Sequence, residues 1–299
     1  MTYSKRFQLW SAVLLVAAMS ASQAGAQNRV TILNDAFGQR PQLEQDWGYS
    51  ALIEFEGKRI LFDTGDNIEV FRKNVEALHV DLTHLDMVVI THAHGDHTSG
   101  LRYVLSKNPK VKLYVPDDPY FTGTVLPSAF LSTDARPELP AKMRYFGGGN
   151  RPEPRGWVAW TDTNMTPVDH AITIAPGIRL VSLVSDKAAF KGLREISLIL
   201  DTSNGPVVFV GCSHPGIEQI LAAATANDPN KPVAMLAGGL HLLQDSPEQV
   251  EATLTVLADK YHVRTMAIGH CSGELAFQRT QERWADRSKY AGLGETITF

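Results

Sequence analysis

Cysteine is nearly absent from this chain: its 299 residues include two, Cys212 and Cys271. That excludes a disulfide-stapled scaffold, which needs several bridges in place of a large core. An excess of basic charge is missing too, with 28 Lys and Arg against 32 Asp and Glu. The chain therefore lacks the footprint of a nucleic-acid binder or of a protein steered to anionic membrane. Past residue 26 no apolar run approaches the roughly 20 residues of a spanning helix, and no internal repeat is evident. What is present is a hydrophobic content of 44%, ample for a core. The length suits one large domain or two small ones.

The first residues read as an address. Lys5 and Arg6 precede an apolar run from Leu9 to Met19, interrupted by Ser11, and then a small, polar stretch ending in Ala24-Gly25-Ala26. That order predicts a secretory signal peptide over residues 1–26 and a mature chain over 27–299 that is periplasmic or secreted. A membrane anchor is the competing reading, but the apolar run is too short to span. Cleavage removes two basic residues and no acidic ones, so the mature chain becomes slightly more acidic.

Strand-like and helix-like segments alternate along the remainder. Residues 29–34, 50–55, 59–62, 87–90 and 111–115 read as strands. Residues 67–78 have helical spacing, with Val70, Phe71, Val75 and Leu78 on one face, and 99–106 follow the same rule. The second half repeats the plan: strands at 171–174, 179–184, 196–201, 207–210, 233–236 and 265–268, helices at 216–226, 247–261 and 274–286. Two sheets packed face to face and covered by helices satisfy both halves.

Residues 116–167 break the alternation. Pro116, Pro119, Pro127, Pro137, Pro140, Pro152, Pro154 and Pro167 fall there, with Gly147-Gly148-Gly149 and the aromatics Tyr120, Phe121, Phe130, Tyr145, Phe146, Trp157 and Trp160. The composition predicts a loop-rich insertion, and its aromatics favour an ordered lid over a linker.

Chemistry concentrates just past the apolar strand Val88-Val89-Ile90. In Thr91-His92-Ala93-His94-Gly95-Asp96-His97, three of the ten histidines fall within six residues and a carboxylate joins them. Imidazole and carboxylate donors held together by a tight loop suit zinc, iron or manganese. A histidine-rich loop arising by chance is the bland alternative, and clustering of this kind argues against it.

His92-x-His94-x-Asp96-His97 is similar to the H-x-H-x-D-H motif of the metallo-β-lactamase superfamily, and Leu61-Phe62-Asp63-Thr64-Gly65 matches the family's earlier strand-ending aspartate. The segments Trp47 to Glu54, Gly211-Cys212-Ser213-His214-Pro215-Gly216-Ile217, Gly238-Gly239-Leu240-His241-Leu242 and His270-Cys271-Ser272-Gly273-Glu274 recur in an order that resembles one branch. That branch is the 7,8-dihydropterin-6-methyl-4-(ribofuranosyl)aminobenzene-5′-phosphate synthase-like proteins. The resemblance covers essentially the whole mature chain and implies an α/β fold, a four-layer αββα sandwich with the site at the shared edge of its two sheets.

Residue by residue, the resemblance implies that His92 and His94 bind one metal ion and that Asp96, His97 and His270 bind another. His214 is expected as the first ion's third ligand, with a substrate contact as the alternative. Asp63 would hydrogen-bond a ligand histidine. The family's Gly-His-Thr segment is missing between Arg179 and Leu200, and its Gly-Asp pair is replaced by Gly211-Cys212. Cys212 is therefore a candidate thiolate ligand, as in some zinc β-lactamases, and a disulfide between Cys212 and Cys271 is a further possibility. His241 follows a Gly-Gly-Leu strand end and reads as a ligand, a proton donor or a substrate contact. His79, His84, His170 and His262 read as structural, and Glu195 precedes a strand and could reach the site, though nothing in its spacing demands it.

The expected function is an exported hydrolase in which a metal-bound hydroxide attacks an ester, lactone or phosphodiester of a small molecule. Two zinc ions are expected, with iron or manganese as alternatives; Asp96 would orient the nucleophile and take its proton, and His241 or a water would protonate the leaving group. An iron-dependent oxidoreductase on the same scaffold, a β-lactamase and a non-catalytic binding protein are the other readings.

Overall fold

The computed structural model describes residues 27–122 and 163–299. The leader expected at 1–26 and most of the expected insertion lie outside the described residues.

In chain order the strands of the first half are β1 (Arg29–Asn34), β2 (Ser50–Phe55), β3 (Lys58–Phe62), β4 (Met87–Val89), β5 (Lys112–Pro116) and β6 (Met165–Val168). Its helices are α1 (Ile68–Ala77), α2 (Gly95–Thr98), α3 (Leu101–Lys107) and α4 (Pro119–Thr122). The second half supplies β7 (Ile172–Ala175), β8 (Ile178–Val184), β9 (Arg194–Thr202), β10 (Gly205–Val210), β11 (Met235–Gly238), β12 (Thr265–Ile268) and β13 (Thr296–Thr298). With them come α5 (Ile217–Ala224), α6 (Pro247–Asp259) and α7 (Glu274–Trp284).

Among the described residues these strands form two sheets, one in the order β13-β1-β2-β3-β4-β5-β6 and one in the order β12-β11-β10-β9-β8-β7. Alternation along each strand explains the layering. Phe62, Val89, Leu198 and Phe209 point into the seam between the sheets, with Val30, Ile53 and Met235. Their neighbours Leu61, Val88 and Ile90 point the other way, onto Phe71 and Val75 of α1 and Leu101 and Val104 of α3. On the far side Val208, Val210 and Leu236 meet Ile220 and Leu221 of α5, Leu254 and Leu257 of α6 and Trp284 of α7. Both faces of both sheets are covered, which is why strands such as Val207 to Val210 read as unbroken apolar runs. The result is the expected four-layer αββα sandwich.

The helix ends follow local chemistry. The Asn67 side chain accepts from the backbone of Glu69 and Val70 at the start of α1. Ser246 and Gln249 form a reciprocal capping box at the start of α6, with Pro247 in its first turn.

Three findings depart from the sequence reading. Residues 165–168, at the expected end of the insertion, form an edge strand parallel to β5, where Pro167 is tolerated because one side of the strand needs no partner. Residues 119–122, also expected there as loop, are helical. Residues 296–298 form β13 against β1, too short a segment for periodicity to reveal.

What matters for the site is that β3, β4, β5 and β6 run parallel, as do β10, β11 and β12. Their carboxyl ends therefore open at one edge. At that edge Gly238 has φ of +110°, and a Cβ there would lie 1.9 Å from the Val210 carbonyl oxygen. Gly238→Ala is expected to destabilise the protein by at least about 3 kcal/mol, through strain and overlap with a rigid strand. Urea denaturation checks this; an unchanged midpoint would mean the two strands can part there at no cost.

Candidate metal centre

The strand β4 ends in a buried pin. Thr91 donates to the Asp63 carboxylate through its backbone N–H (2.7 Å) and through its hydroxyl (2.8 Å). Asp63, in the left-handed region with φ of 56°, also meets His97 Nδ1 at 2.7 Å. This is the expected Asp63 contact. It fixes the His97 ring and leaves Nε2 facing inward. Burial opposes charge on His97, yet Asp63 and Asp96 outweigh it and hold the imidazole well above its ordinary range. A cation at Nε2 would take the place of that proton.

Seven donor side chains converge here as two adjoining groups. His92, His94 and His214 form one, with all three donor atoms within 4.8 Å of one another and His92 Nε2 3.1 Å from His94 Nδ1. Burial comes first among the causes that keep His92 well below its usual value and bring His94 down to about 4. Both rings are then in the neutral, ligating form at neutral pH.

Asp96, His97, Cys212 and His270 form the other group. Cys212 Sγ lies 3.2 Å from His97 Nε2 and 3.2 Å from His270 Nε2, and those nitrogens lie 3.2 Å apart. The Asp96 carboxylate reaches both, at 3.5 and 3.6 Å. Burial works to raise the Asp96 carboxyl, but His97 and His270 prevail and hold it well below the carboxylate range. Burial pushes the Cys212 thiol up, so a cation would have to draw its proton off. The groups touch: the His92 and His97 ring centroids are 4.2 Å apart. Imidazole nitrogens, a carboxylate and a sulfur crowded with their lone pairs facing one another fit divalent cations better than any set of internal hydrogen bonds.

The structure brings His92, His94, Asp96, His97, His214 and His270 together in these two groups, with Cys212 among them. His241 is different. It stands outside both groups, with its ring 4.9 Å from that of His214 and 4.8 Å from that of Phe190. That position leaves proton donation or substrate contact and disfavours direct ligation. Cys212 and Cys271 are free thiols, so the disulfide alternative does not describe this structure.

Sequence reasoning assigned no role to Glu195, which it placed only within reach of the site, and missed Asp35. Glu195, fully buried on β9, accepts from the backbone N–H of Cys212 (3.0 Å), Ser213 (2.8 Å) and His214 (2.9 Å) and meets His214 Nδ1 at 2.9 Å. Burial would raise its pKa, but His214 and these amides bring it below the usual value. The available signal was a carboxylate immediately ahead of the mostly apolar run Ile196 to Leu200. Asp35, just past β1, accepts from the backbone N–H of His270 (3.0 Å) and of Phe37 (2.8 Å), and burial pushes its carboxyl up to about 7. Nothing in the spacing near Asp35 announced it.

Glu195→Gln exchanges an acceptor for an amide that must turn one N–H toward backbone N–H groups. It is expected to weaken cation binding at the His92, His94 and His214 group by about 10–100-fold. Competition titration against a chromogenic chelator reads this; affinity equal to that of the unaltered protein would sink the positioning role.

Known proteins agree with this geometry. Residues 46–182 match the family profile of the metallo-beta-lactamase superfamily. Over 90% of its length the chain is 26% identical to the 7,8-dihydropterin-6-methyl-4-(beta-D-ribofuranosyl)-aminobenzene-5′-phosphate synthase of Methanocaldococcus jannaschii, covering 95% of that protein. A shorter stretch of 56 residues is 38% identical to ribonuclease Z of Nanoarchaeum equitans, 19% of this chain and 17% of that one. Among solved structures, Tm1679, described as a metal-dependent hydrolase of the beta-lactamase superfamily, superposes with a TM-score of 0.63 at 24% identity, covering 90% of this chain and 98% of that one. The metallo-beta-lactamase fold protein YhfI from Bacillus subtilis follows at 0.58 and 12% identity, covering 91% and 99%. Profile, fold and converging donors point the same way: residues 46–182 match the metallo-β-lactamase superfamily, and the donor side chains that this match implies come together in the structure.

Proposed function

We propose that the protein is a metal-dependent hydrolase acting on a small-molecule ester, lactone or phosphodiester. The observation that carries this reading is the pair of adjoining donor groups with Asp96 at their accessible side, its side chain 19% exposed while those of His97 and His270 are fully buried. In the proposal His92, His94 and His214 hold one zinc ion, and Asp96, His97, Cys212 and His270 hold a second. Bound zinc supplies Lewis-acid polarisation of the scissile group and lowers the pKa of water from 15.7 to about 7.

The chain's own residues do the rest. Asp96, kept as a carboxylate, accepts a hydrogen bond from the attacking water and aims it. Asp63 and Glu195 lock the rings of His97 and His214. His241, held below its ordinary value first by burial, serves as a neutral hydrogen-bond donor to the leaving group. The same proposal places the mature protein in the periplasm or outside the cell, on the pattern of residues 1–26 alone. Among the described residues no helix is long and apolar enough to cross a membrane.

The name of the Methanocaldococcus relative denotes a synthase, so the reaction needs a direct test. A zinc-replete screen over lactones, aryl esters, phosphodiesters and lactams, run beside elemental analysis of the protein as purified, is expected to find hydrolysis of an ester, lactone or phosphodiester and to find zinc. Stoichiometric iron without hydrolysis would replace this reading with the oxidoreductase. Rapid hydrolysis confined to lactams would replace it with the β-lactamase.

A further inference from the structure

Cys271 has no part in the proposed chemistry, yet it is buried beside it. The loops after β10, β11 and β12 lie side by side, and Cys271 Sγ reaches toward the Cys212 carbonyl oxygen at 3.9 Å. The residue between their strands is Gly239, where a Cβ would lie 2.6 Å from Cys271 Sγ and 2.5 Å from the Gly211 carbonyl oxygen. A side chain there would take the space the second sulfur occupies. Cys212 thus has two sets of neighbours: His97 and His270, each 3.2 Å from its Sγ, and Cys271, whose Sγ approaches its backbone carbonyl.

We propose that Cys212 and Cys271 form an oxidation site, in which a disulfide between them and a cation held by the Asp96, His97, Cys212 and His270 group exclude one another. The exclusion follows from the sulfur. A thiolate brings charge and lone pairs to a soft-accepting cation, whereas a disulfide sulfur is neutral and a poor ligand. With the cation bound, Cys212 is engaged and shielded. Without it, the sulfur is unengaged though buried, and only a small oxidant can reach it.

The oxidant class is a hydroperoxide, and the steps balance with hydrogen peroxide. The Cys212 sulfur takes one peroxide oxygen, the O–O bond breaks and one water leaves, giving a sulfenic acid. Cys271 sulfur then attacks the Cys212 sulfur, the S–O bond breaks, and a second water carries away the hydroxyl and the thiol proton. Two thiols and one peroxide yield a disulfide and two waters, the two electrons passing to the peroxide.

The inference rests on the metal reading of that donor group, so the experiment separates the two. Full-length mature protein, reduced, is prepared with zinc and after chelation. Each form is treated with stoichiometric hydrogen peroxide, alkylated under denaturing conditions and mapped by mass spectrometry, and zinc uptake is then titrated. The zinc-free form is expected to show the Cys212–Cys271 cross-linked peptide and to lose the zinc equivalent of that group until dithiothreitol restores it; the zinc-loaded form is expected to keep both thiols alkylatable. Cys271→Ser should bind zinc normally and, treated zinc-free with at least two equivalents of peroxide, should pass through the sulfenic acid, for lack of a resolving thiol, to a sulfinic acid that dithiothreitol does not reverse. Cross-linked protein that still takes up its full zinc complement overturns the proposal, as does zinc-free protein whose thiols stay unpaired, or a Cys271→Ser variant that loses and regains zinc as the unaltered protein does. Reduced protein that binds no zinc overturns both the metal reading and the exclusion built on it.

Discussion

Asp96→Ala is expected to lower kcat/KM on whichever substrate the screen finds by about 10²–10⁴-fold, the range spanned by a positioned acid–base or orienting group, while the protein stays folded. The argument is local. The Asp96 carboxylate is the accessible member of its donor group, 3.5 and 3.6 Å from nitrogens of His97 and His270, and none of the three hydrophobic clusters includes it. Truncating it removes a cation donor and the acceptor that aims the water, and leaves no cavity in the core. The assay is run at saturating zinc so that weakened binding is not mistaken for lost chemistry, with circular dichroism and a thermal midpoint as controls for folding. Rates equal to those of the unaltered protein would remove Asp96 from the mechanism.

Stripping the metal is expected to cost both activity and stability. A cation present at a thousand times its dissociation constant stabilises the folded state by about 4 kcal/mol, which for a domain of this size is on the order of 10 °C in melting temperature. The physical origin is the crowding already described: three imidazoles in one group with donor atoms within 4.8 Å of one another, and two imidazoles, a carboxylate and a sulfur in the other at 3.2 to 3.6 Å. Without a cation those lone pairs repel or compete for too few protons; with one they are satisfied together. Differential scanning calorimetry before and after chelation, then after zinc is returned, measures the effect. A melting temperature indifferent to both additions would refute occupancy of either group.

Much of this was legible in the sequence because the signals were local. Val88-Val89-Ile90 followed by His92, His94, Asp96 and His97 announces both a buried strand and its cargo within ten residues. The period of two in β1 and β2, and the helical stripe of Val70, Phe71 and Val75, follow directly from which face meets the seam. The layered fold was legible for the same reason.

What could not be read was non-local. Glu195 gains its role from three amides and a ring that lie about twenty residues ahead, and Asp35 from His270 at the far end of the chain; nothing in either one's neighbours encodes the meeting. The edge strand at 165–168 was hidden inside a proline-rich stretch because an edge tolerates what an interior strand forbids. The residues of β13 are too few to show a period.

Each donor group draws on both halves of the chain. His92 and His94 come from the loop after β4 in one sheet, and His214 from the loop after β10 in the other; Asp96 and His97 likewise face Cys212 and His270 across the same divide. Neither half alone offers a complete nest for a cation, so an ion can settle only after the two sheets have come together. It acts as a latch closed last, not a seed around which the chain first gathers, and its hold is felt as slower opening rather than faster assembly.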